Sequence, residues 1–318
     1  MGALKSLAVG LLSSMPGSAG LVARRPAAPD AMADYSIALK HLTLMQLARP
    51  GVPDALVELG PGASLGVGFV ALLLGARRYL ALDVERHVAP GTLQPDRVVA
   101  LARLICQRTP LRNADGFPSL RPQLDATGFP LWLGHQLDRT PLDEARLRHV
   151  LDCASQLHAS RAARAADLSI DYVVPWDRVD SATLPGSADA VMSHAVLQHV
   201  QDPAAAHRQL AGLLKVGAVA THQIAYNAHH LSASWNGHWR YGDRLWSIML
   251  GQRRYLLNRL SHSQHVDALA TAGFEVVTAH TALRHDGTPR ERLAPRFRAL
   301  SDADLATAGS FLVLRLRG

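Results

Sequence analysis

Short apolar runs alternate with longer segments of mixed polarity along the 318-residue chain. Residues 55–59 form the first such run, a predicted buried strand that leads through a glycine turn into an apolar helix over residues 69–74. Further strands are predicted over residues 79–83, 170–174, 187–193, 216–224 and 310–316, and another begins near residue 274. Amphipathic segments lie between most of them, and this alternation predicts an α/β fold with a largely parallel sheet.

The chain ahead of the first strand is predicted to be helical. A helix is expected over residues 33–48, and Pro50 and Pro53 end it. Further upstream, one helical face carries Leu4, Leu7, Leu11, Leu12 and Met15. Because Gly10 and two serines break this apolar run, we favour a short amphipathic helix that packs on the domain or touches a membrane over a signal peptide. Residues 1–50 are therefore predicted to be an N-terminal helical extension, and no segment is long enough to span a bilayer.

Two insertions are predicted within a domain of residues 51–318. The first covers residues 86–166 and contains predicted helices over 95–107 and 142–158, separated by a piece that prolines and glycines break. Long insertions in compact domains are usually functional, so we interpret this one as a lid or substrate-selecting element, with helical decoration of the fold as the alternative. The second covers residues 225–262 and has the highest density of aromatic residues and histidines.

The turn after the first strand has the layout of a nucleotide-binding site. Gly60 and Gly62 let the backbone bend sharply and approach a ligand where a Cβ atom would collide. Amides of the turn and of the following helix start can donate to an anionic group. Asp83 ends the second strand, where a carboxylate suits the two hydroxyls of a ribose.

Two cofactors compete for this geometry. A dinucleotide site requires G-x-G-x-x-G, and Leu65 stands at the third glycine position. Glu58 precedes the first glycine by two positions, and Glu58-Leu59-Gly60-Pro61-Gly62 resembles motif I, E-x-G-x-G, of the class I S-adenosylmethionine (SAM)-dependent methyltransferases. SAM is therefore favoured over NAD, and a tight turn that binds no ligand is a further alternative.

Later segments carry the same resemblance. Asp177 follows the third strand, and the segment from Asp189 to Val200 is similar to the family pattern F-D-x-V-x-S-x-x-V-x-x-H-V, with Ala188 in place of the aromatic residue. Leu214-Lys215-Val216-Gly217 matches the family's entry to strand five. The resemblance implies a Rossmann-like α/β fold with a seven-stranded, mostly parallel sheet, an antiparallel last strand, and helices on both faces.

The resemblance also implies which residues bind the cofactor, S-adenosyl-L-methionine. The expected set is Glu58, Gly60, Pro61, Gly62, Asp83, Val84, Asp177, Ser193 and His194. Glu58 and the glycine turn are expected at the methionine end and ribose, and Asp83 at the ribose hydroxyls. Asp177 is expected at the adenine amino group, whereas Ser193 and His194 are expected to line the methyl pocket. A capping or turn role is the alternative for each residue.

A general base is needed only if the methyl acceptor carries a proton that must be removed. Imidazole titrates near neutral pH, and the candidates are His199, His222, His229 and His230. His222 is predicted near the end of the fifth strand, where a side chain would point toward substrate, and helix packing is the alternative for His199. The strip over residues 238–241, His-Trp-Arg-Tyr, either binds an anionic or planar acceptor or belongs to a core.

Composition narrows the function classes. The formal charge is +7, but no basic run is long enough for a nucleic-acid-binding arm. The two cysteines lack metal-ligand spacing and exclude a disulfide framework, so we expect a cytoplasmic protein without a metal site. Motifs of metal hydrolases, kinases and serine hydrolases do not occur in the sequence.

We therefore expect a SAM-dependent methyltransferase whose acceptor is an oxygen or nitrogen of a small molecule or glycan. The second insertion resembles a region of bacterial methyltransferases associated with surface-polysaccharide or small-molecule pathways. The alternatives are a catalytically silent SAM-binding or scaffold protein of the same fold, and an NAD-dependent oxidoreductase. The N-terminal helix is a candidate for peripheral membrane contact, and the sequence predicts no particular oligomeric state.

Overall fold

The computed structural model describes residues 7–9, 11, 30–88, 94–112, 118–157, 160–176, 179, 186–229, 231–253 and 256–318. The helices are α1 (Ala31–Met45), α2 (Gly66–Leu73), α3 (Gln94–Cys106), α4 (Leu131–Arg139), α5 (Glu144–Gln156), α6 (Pro203–Leu213), α7 (Asp243–Leu250), α8 (His262–Thr271), α9 (Pro295–Arg298) and α10 (Asp302–Ala306). The strands are β1 (Ala55–Leu59), β2 (Arg78–Leu82), β3 (Ala162–Ala165), β4 (Leu168–Val173), β5 (Ala188–His194), β6 (Leu214–Ala225), β7 (Phe274–Leu283) and β8 (Thr307–Leu316). Short 3-10 turns cover Pro118–Gln123, Leu197–His199, Gly237–Arg240 and Arg290–Arg292.

The strands of the described residues form one sheet in the order β3-β4-β2-β1-β5-β6-β8-β7. β1 is parallel to β2 on one side and to β5 on the other, with Glu58 opposite Ala81 and Met192. From β1 the chain builds outward first through β2 and β4, and then on the other side through β5 and β6. The order therefore reverses between β1 and β5, and open α/β sheets bind ligands beyond the carboxyl ends of the strands at such a point.

The last strand, β8, is antiparallel to β6. At one end of the pair, the Tyr226 N–H donates to the Ala308 carbonyl oxygen over 2.9 Å. At the other end, Gly318 lies beside Val216. Residue numbers thus rise along one strand as they fall along the other, and the predicted Rossmann-like sheet with an antiparallel last strand is confirmed.

The sheet has one strand more than the seven predicted. This strand, β3, is antiparallel to β4 at the sheet edge. Its sequence, Ala-Ala-Arg-Ala, has no β-branched or aromatic residue that would predict a strand. It is placed instead by antiparallel pairing with β4, beside which the Arg164 guanidinium donates to both carboxylate oxygens of Asp171, at 2.8 and 3.0 Å, and to the Ile170 carbonyl.

The helices of the first predicted insertion belong to a layer packed beside the sheet. α3 packs on α1 and α2, and α5 packs on α2, α3, β3 and β4. The piece predicted to be irregular contains α4, which the Trp132 indole N–H attaches to Thr43 Oγ1 (2.9 Å) and the Gln136 amide attaches to the Leu74 carbonyl (3.0 Å). These contacts favour helical decoration of the fold over a lid.

The chain divides into two compact units. The first unit comprises residues 25–194, 209–221 and 313–318, and the second comprises residues 1–24, 195–208 and 222–312. Within the second unit, Leu7 of the N-terminal segment packs against an apolar cluster of Leu231, Trp246, Met249, Leu256 and Leu257. The rest of the predicted N-terminal helix lies outside the described residues, among which no helix has the length and apolarity needed to cross a membrane.

Three histidines of the second unit are completely enclosed. His207 on α6, His222 on β6 and His265 on α8 each have 0% exposure, and the rings of His207 and His222 lie 5.8 Å apart. Within the described residues, neither ring nitrogen of His207 or His265 has a hydrogen-bond partner. Burial lowers the pKa of His207 to about 4 and that of His265 to about 3, and it lowers the pKa of His222 well below its usual value.

In the first unit, Asp189 joins three chain segments at the amino-terminal ends of the central strands, away from the glycine turn. Its Oδ2 accepts the N–H of Ala55, the first residue of β1, at 2.9 Å. Its Oδ1 accepts from the Lys215 ammonium at 2.8 Å and lies 3.5 Å from Arg49. The acidic residue of the family-like segment therefore fixes the starts of β1, β5 and β6.

We predict that the enclosed histidines make the protein sensitive to acid. Their folded-state pKa values lie below the usual 6.5, so the stability that the neutral rings contribute is present above about pH 6.5 and is lost as the pH falls toward 4. Each ring steepens this loss by at most about 1.4 kcal/mol per pH unit. The free energy of unfolding, measured with urea at pH 7, 6 and 5, should fall less steeply with decreasing pH for His207→Leu than for the wild type. The exposed His135→Leu should keep the wild-type slope, and equal slopes for all three proteins would refute the prediction.

We also predict that Asp189→Ala lowers the free energy of unfolding by about 1–3 kcal/mol, because it leaves the buried Ala55 N–H without an acceptor. Lys215→Met is the matched control. The Lys215 side chain is 47% exposed, so removing its ion pair should cost less than about 1 kcal/mol. Urea unfolding at pH 7 measures both, and equal losses would show that the ion pair, rather than the backbone contact, is what matters.

Candidate functional site

The turn after β1 is closed by hydrogen bonds to β2 and the residue that follows it. Gly60 and Gly62 have φ angles of 74° and 68°, which side-chain-bearing residues rarely adopt. The Gly60 N–H donates to the Leu82 carbonyl at 2.7 Å, and the Gly62 N–H donates to Asp83 Oδ2 at 3.1 Å. A Cβ atom added to Gly62 would meet nothing within 4 Å. The backbone of the turn therefore faces open space that a ligand can enter.

Asp83 lies at the carboxyl end of β2, as the sequence predicts. Its side chain is almost completely buried, and its Oδ1 accepts the N–H of Val84 at 2.8 Å. Burial raises the pKa of Asp83, and the charge of the His87 imidazole, 3.7 Å away, opposes that rise. One carboxylate thus organises both Gly62 and Val84, two of the residues predicted to bind the cofactor.

Glu58 is buried beside the turn, with 4% exposure. The Tyr79 hydroxyl donates to its Oε2 at 2.5 Å. Tyr79 can take this position because Gly68 has no side chain, and a Cβ atom there would lie 2.1 Å from the tyrosine ring. Burial raises the pKa of Glu58 to about 8, and the charges of Asp34 and Asp83 act in the same direction. At neutral pH the carboxyl of Glu58 is therefore mostly protonated.

A third buried carboxyl, Asp34, comes from α1 and was not predicted from the sequence. It accepts a hydrogen bond from Ser64 at 2.7 Å and one from Arg97 at 2.5 Å. Gly66 leaves room for it, since a Cβ atom at Gly66 would lie 2.1 Å from its carboxylate. Three buried carboxyls, those of Asp34, Glu58 and Asp83, thus surround the turn. Asp34 pairs with Arg97, and Asp83 pairs with His87.

Ser193 and His194 end β5, and Ser193 lies opposite Leu59, the residue before the turn. His194 Nδ1 lies 3.2 Å from Nε2 of His41 on α1, and His41 Nδ1 lies 2.9 Å from Thr221 Oγ1 on β6. Burial and the charge of Lys40 lower the pKa of His194 to about 4. His41, Thr221 and Lys40 were not predicted, because α1 and β6 reach this place only through the tertiary fold.

The predicted adenine contact, Asp177, lies outside the described residues, as does His230. The residue before Asp177 is described, and the N–H of this Trp176 donates to the Asp83 carbonyl at 2.7 Å. The end of β4 therefore comes to the same edge of the sheet as the glycine turn.

The structure describes three of the four predicted base candidates, all in the second unit, and separates them. His199 and His229 lie together, with ring centroids 5.2 Å apart. His222 lies instead with His207 inside the enclosed cluster. His238 and Trp239 are buried as well, so this part of the aromatic strip is core, while Arg240 is exposed.

No group of three or more histidine, cysteine or carboxylate side chains in the described part of the chain could hold a metal ion. Both cysteines are free thiols; Cys106 is exposed and Cys153 is buried.

Comparison with known proteins finds no matching family model and no matching curated protein. Among solved structures, a SAM-dependent methyltransferase from Mesorhizobium loti is similar at 15% identity, covering 86% of this chain and 95% of that one, with a TM-score of 0.38. Geranyl diphosphate methyltransferase in complex with SAM matches at 12% identity over 96% and 94% of the two chains, with a TM-score of 0.41. Phosphoethanolamine N-methyltransferase 2 from Haemonchus contortus matches at 13% identity over 90% and 57%, with a TM-score of 0.40.

Because all three TM-scores lie below 0.5, we take the fold from the strand order, the register and the turn. The sheet reverses its order between β1 and β5, β1 ends in a glycine turn, β2 ends in a carboxylate, and the last strand is antiparallel. The chain therefore has the Rossmann-like fold of the class I SAM-dependent methyltransferases.

Proposed function

We propose that the protein is a methyltransferase that binds SAM in the first unit and methylates an oxygen or nitrogen of a small molecule or glycan. The observation that carries this proposal is the group of buried carboxyls, Asp34, Glu58 and Asp83, around an open glycine turn.

The buried carboxyls favour a cationic cofactor, because Glu58, which is mostly protonated in the free protein, can ionise beside a bound cation but not beside a bound anion. SAM carries a positive sulfonium and an ammonium group, whereas the pyrophosphate of NAD would place two negative charges beside the carboxyls. Leu65, which is 1% exposed, also occupies the position where a dinucleotide site needs its third glycine. Charge and packing therefore both support SAM over NAD.

The residues present fit SAM. Asp83 would accept hydrogen bonds from the ribose hydroxyls, and the amides of Gly60 and Gly62 would lie against the methionine part. Glu58 would face the positive charges, and Ser193 and His194 would lie beside the methyl group. When bound, SAM supplies a methyl group on a positively charged sulfur, so the chain's own task is to hold the acceptor in line with it. The adenine contact of Asp177 is proposed on the family resemblance alone.

We predict that isothermal titration detects binding of SAM and of S-adenosylhomocysteine, and that Gly62→Val lowers both affinities at least about tenfold. The variant forces a side chain into the open space and into a φ angle of 68° that valine avoids. Asp83→Ala should lower affinity by roughly 10–100-fold, because the ribose loses its acceptor and the Gly62 amide loses its partner.

Gly134→Ala is the matched control for the titration, since this helical glycine also has open space around it but no positive φ. It should bind like the wild type. Binding of NAD without SAM would contradict the proposal. Binding of SAM with no methyl transferred across a screen of hydroxyl and amine acceptors would identify a catalytically silent SAM-binding protein.

We predict that binding of SAM at pH 7 releases up to about one proton from Glu58. Its pKa of about 8 keeps it mostly protonated in the free protein, and a bound cation favours the ionised carboxylate. Affinity should therefore rise with pH from 6 and level off above about 8. Titrations in phosphate and in Tris measure the released protons through the buffers' different ionisation enthalpies. Glu58→Gln should lose this component, and an unchanged release would assign the proton to another group.

A further inference from the structure

We propose that His194 accepts the proton of the methyl acceptor, and that His41 and Thr221 are positioning residues that fix the tautomer of its ring. This assignment rests on the methyltransferase function proposed above. Neither His41 nor Thr221 belongs to a motif in the sequence, and both come to the site from elements distant in the chain.

The position of His194 suits a group that touches the acceptor. It is the last residue of β5, directly after Ser193, which lies opposite Leu59 at the start of the glycine turn. The carboxyl ends of β1 and β5 flank the point where the sheet reverses its order, which is where α/β sheets bind their ligands.

His194, His41 and Thr221 form a chain of two hydrogen bonds, and Thr221 Oγ1, which can accept or donate, sets the direction of both. His194 Nδ1 contacts His41 Nε2 at 3.2 Å, and His41 Nδ1 contacts Thr221 Oγ1 at 2.9 Å. If Thr221 accepts, His41 carries its proton on Nδ1 and offers a lone pair on Nε2 to the Nδ1–H of His194. His194 Nε2 then carries a lone pair. Within the described residues nothing hydrogen-bonds to this atom, and it is not among the enclosed polar atoms, so it is available to a ligand.

The surroundings keep the ring neutral and fixed. His41 and Thr221 are completely buried, so the ring to which His194 bonds cannot reorient freely. The charged group that acts on His194 from α1 is Lys40, and its charge, together with burial, lowers the pKa of His194. The ring is therefore uncharged throughout the neutral range. With Thr221 as the acceptor its lone pair lies on Nε2, and a weak base is sufficient because an oxygen or nitrogen becomes strongly acidic as it is methylated.

The proton transfer balances without any further reactant. The acceptor oxygen or nitrogen forms a bond to the methyl carbon, the bond from that carbon to sulfur breaks, and its electron pair stays on sulfur. The acceptor's proton passes to His194 Nε2, and the ring becomes an imidazolium. The ring then returns the proton to water and regains its lone pair.

The other histidines considered for this role fit it less well. His222 is enclosed beside His207, where a proton from a substrate has no route to it. The rings of His199 and His229 contact each other, whereas His194 directly follows Ser193, which lies opposite Leu59 at the start of the glycine turn.

The first experiment reads the tautomer and needs no acceptor. Long-range ¹H–¹⁵N correlation spectra of histidine-labelled protein at pH 7.5, with and without S-adenosylhomocysteine, should show His194 neutral, protonated at Nδ1 and bare at Nε2. His194→Gln assigns the signal. Thr221→Val should shift His194 toward the Nε2–H form or a mixture, and Thr221→Ser should restore the wild-type spectrum. A wild-type ring protonated at Nε2 would overturn the proposal, as would a spectrum that Thr221→Val leaves unchanged.

The second experiment measures turnover with an acceptor from the screen described above. His194→Gln should lower kcat by roughly 10²–10⁴-fold, and Thr221→Val should lower kcat with little change in KM. Thr221→Val should keep S-adenosylhomocysteine affinity within about threefold of the wild type. The exposed His135→Gln is the control and should keep full activity. Retained turnover in His194→Gln would remove this residue from the reaction while leaving the methyltransferase function intact, whereas absent cofactor binding in the wild type would remove both.

Discussion

Parallel pairing of β1 and β2 is the constraint on which the candidate site depends. Leu59 lies opposite Leu82, so both strands end at the same level, and the Gly60 and Gly62 amides meet the Leu82 carbonyl and the Asp83 carboxylate. A slip of one residue would turn every side chain of β1 to the other face and separate these partners. The same pairing brings Tyr79 to Glu58, since both side chains belong to the paired strands. Cofactor specificity therefore begins with the register of two five-residue strands.

Much of the sheet could be predicted from the sequence, because its central strands are short apolar runs bounded by glycine, proline or charged residues. β1 is fully buried, which is why a run that is apolar apart from Glu58 identifies it. The missed elements lack such a pattern. β3 is placed by its pairing with β4, and α4 lies in a segment where prolines and glycines suppress the helical signal. Contacts with distant parts of the chain, rather than local preference, decide both.

The sequence could predict only those residues of the site that come from one continuous segment of the chain. Glu58, the turn and Asp83 come from one strand–turn–helix–strand segment, so their proximity follows from the sequence. Asp34, Lys40 and His41 come from α1, and the one signal for them is that polar residues occupy buried positions of an otherwise apolar helix. His222 was predicted as a base candidate, and the structure buries it beside His207. Thr221 and His222 are neighbours on β6, so their side chains point to opposite faces, and the sequence could not decide which one faces His41.

The role of Asp189 bears on how sequences of this kind are classified. Its carboxylate serves the amide of Ala55 and the ammonium of Lys215, at the edge of the sheet away from the cofactor turn. This contact belongs to the assembly of the sheet and does not involve the residues of the cofactor turn. A pattern search that scores the aspartate therefore retrieves chains that can build the scaffold, including ones that have lost the chemistry. To separate active enzymes from inactive descendants, a search would have to score the other end of the same strand, at Ser193 and His194.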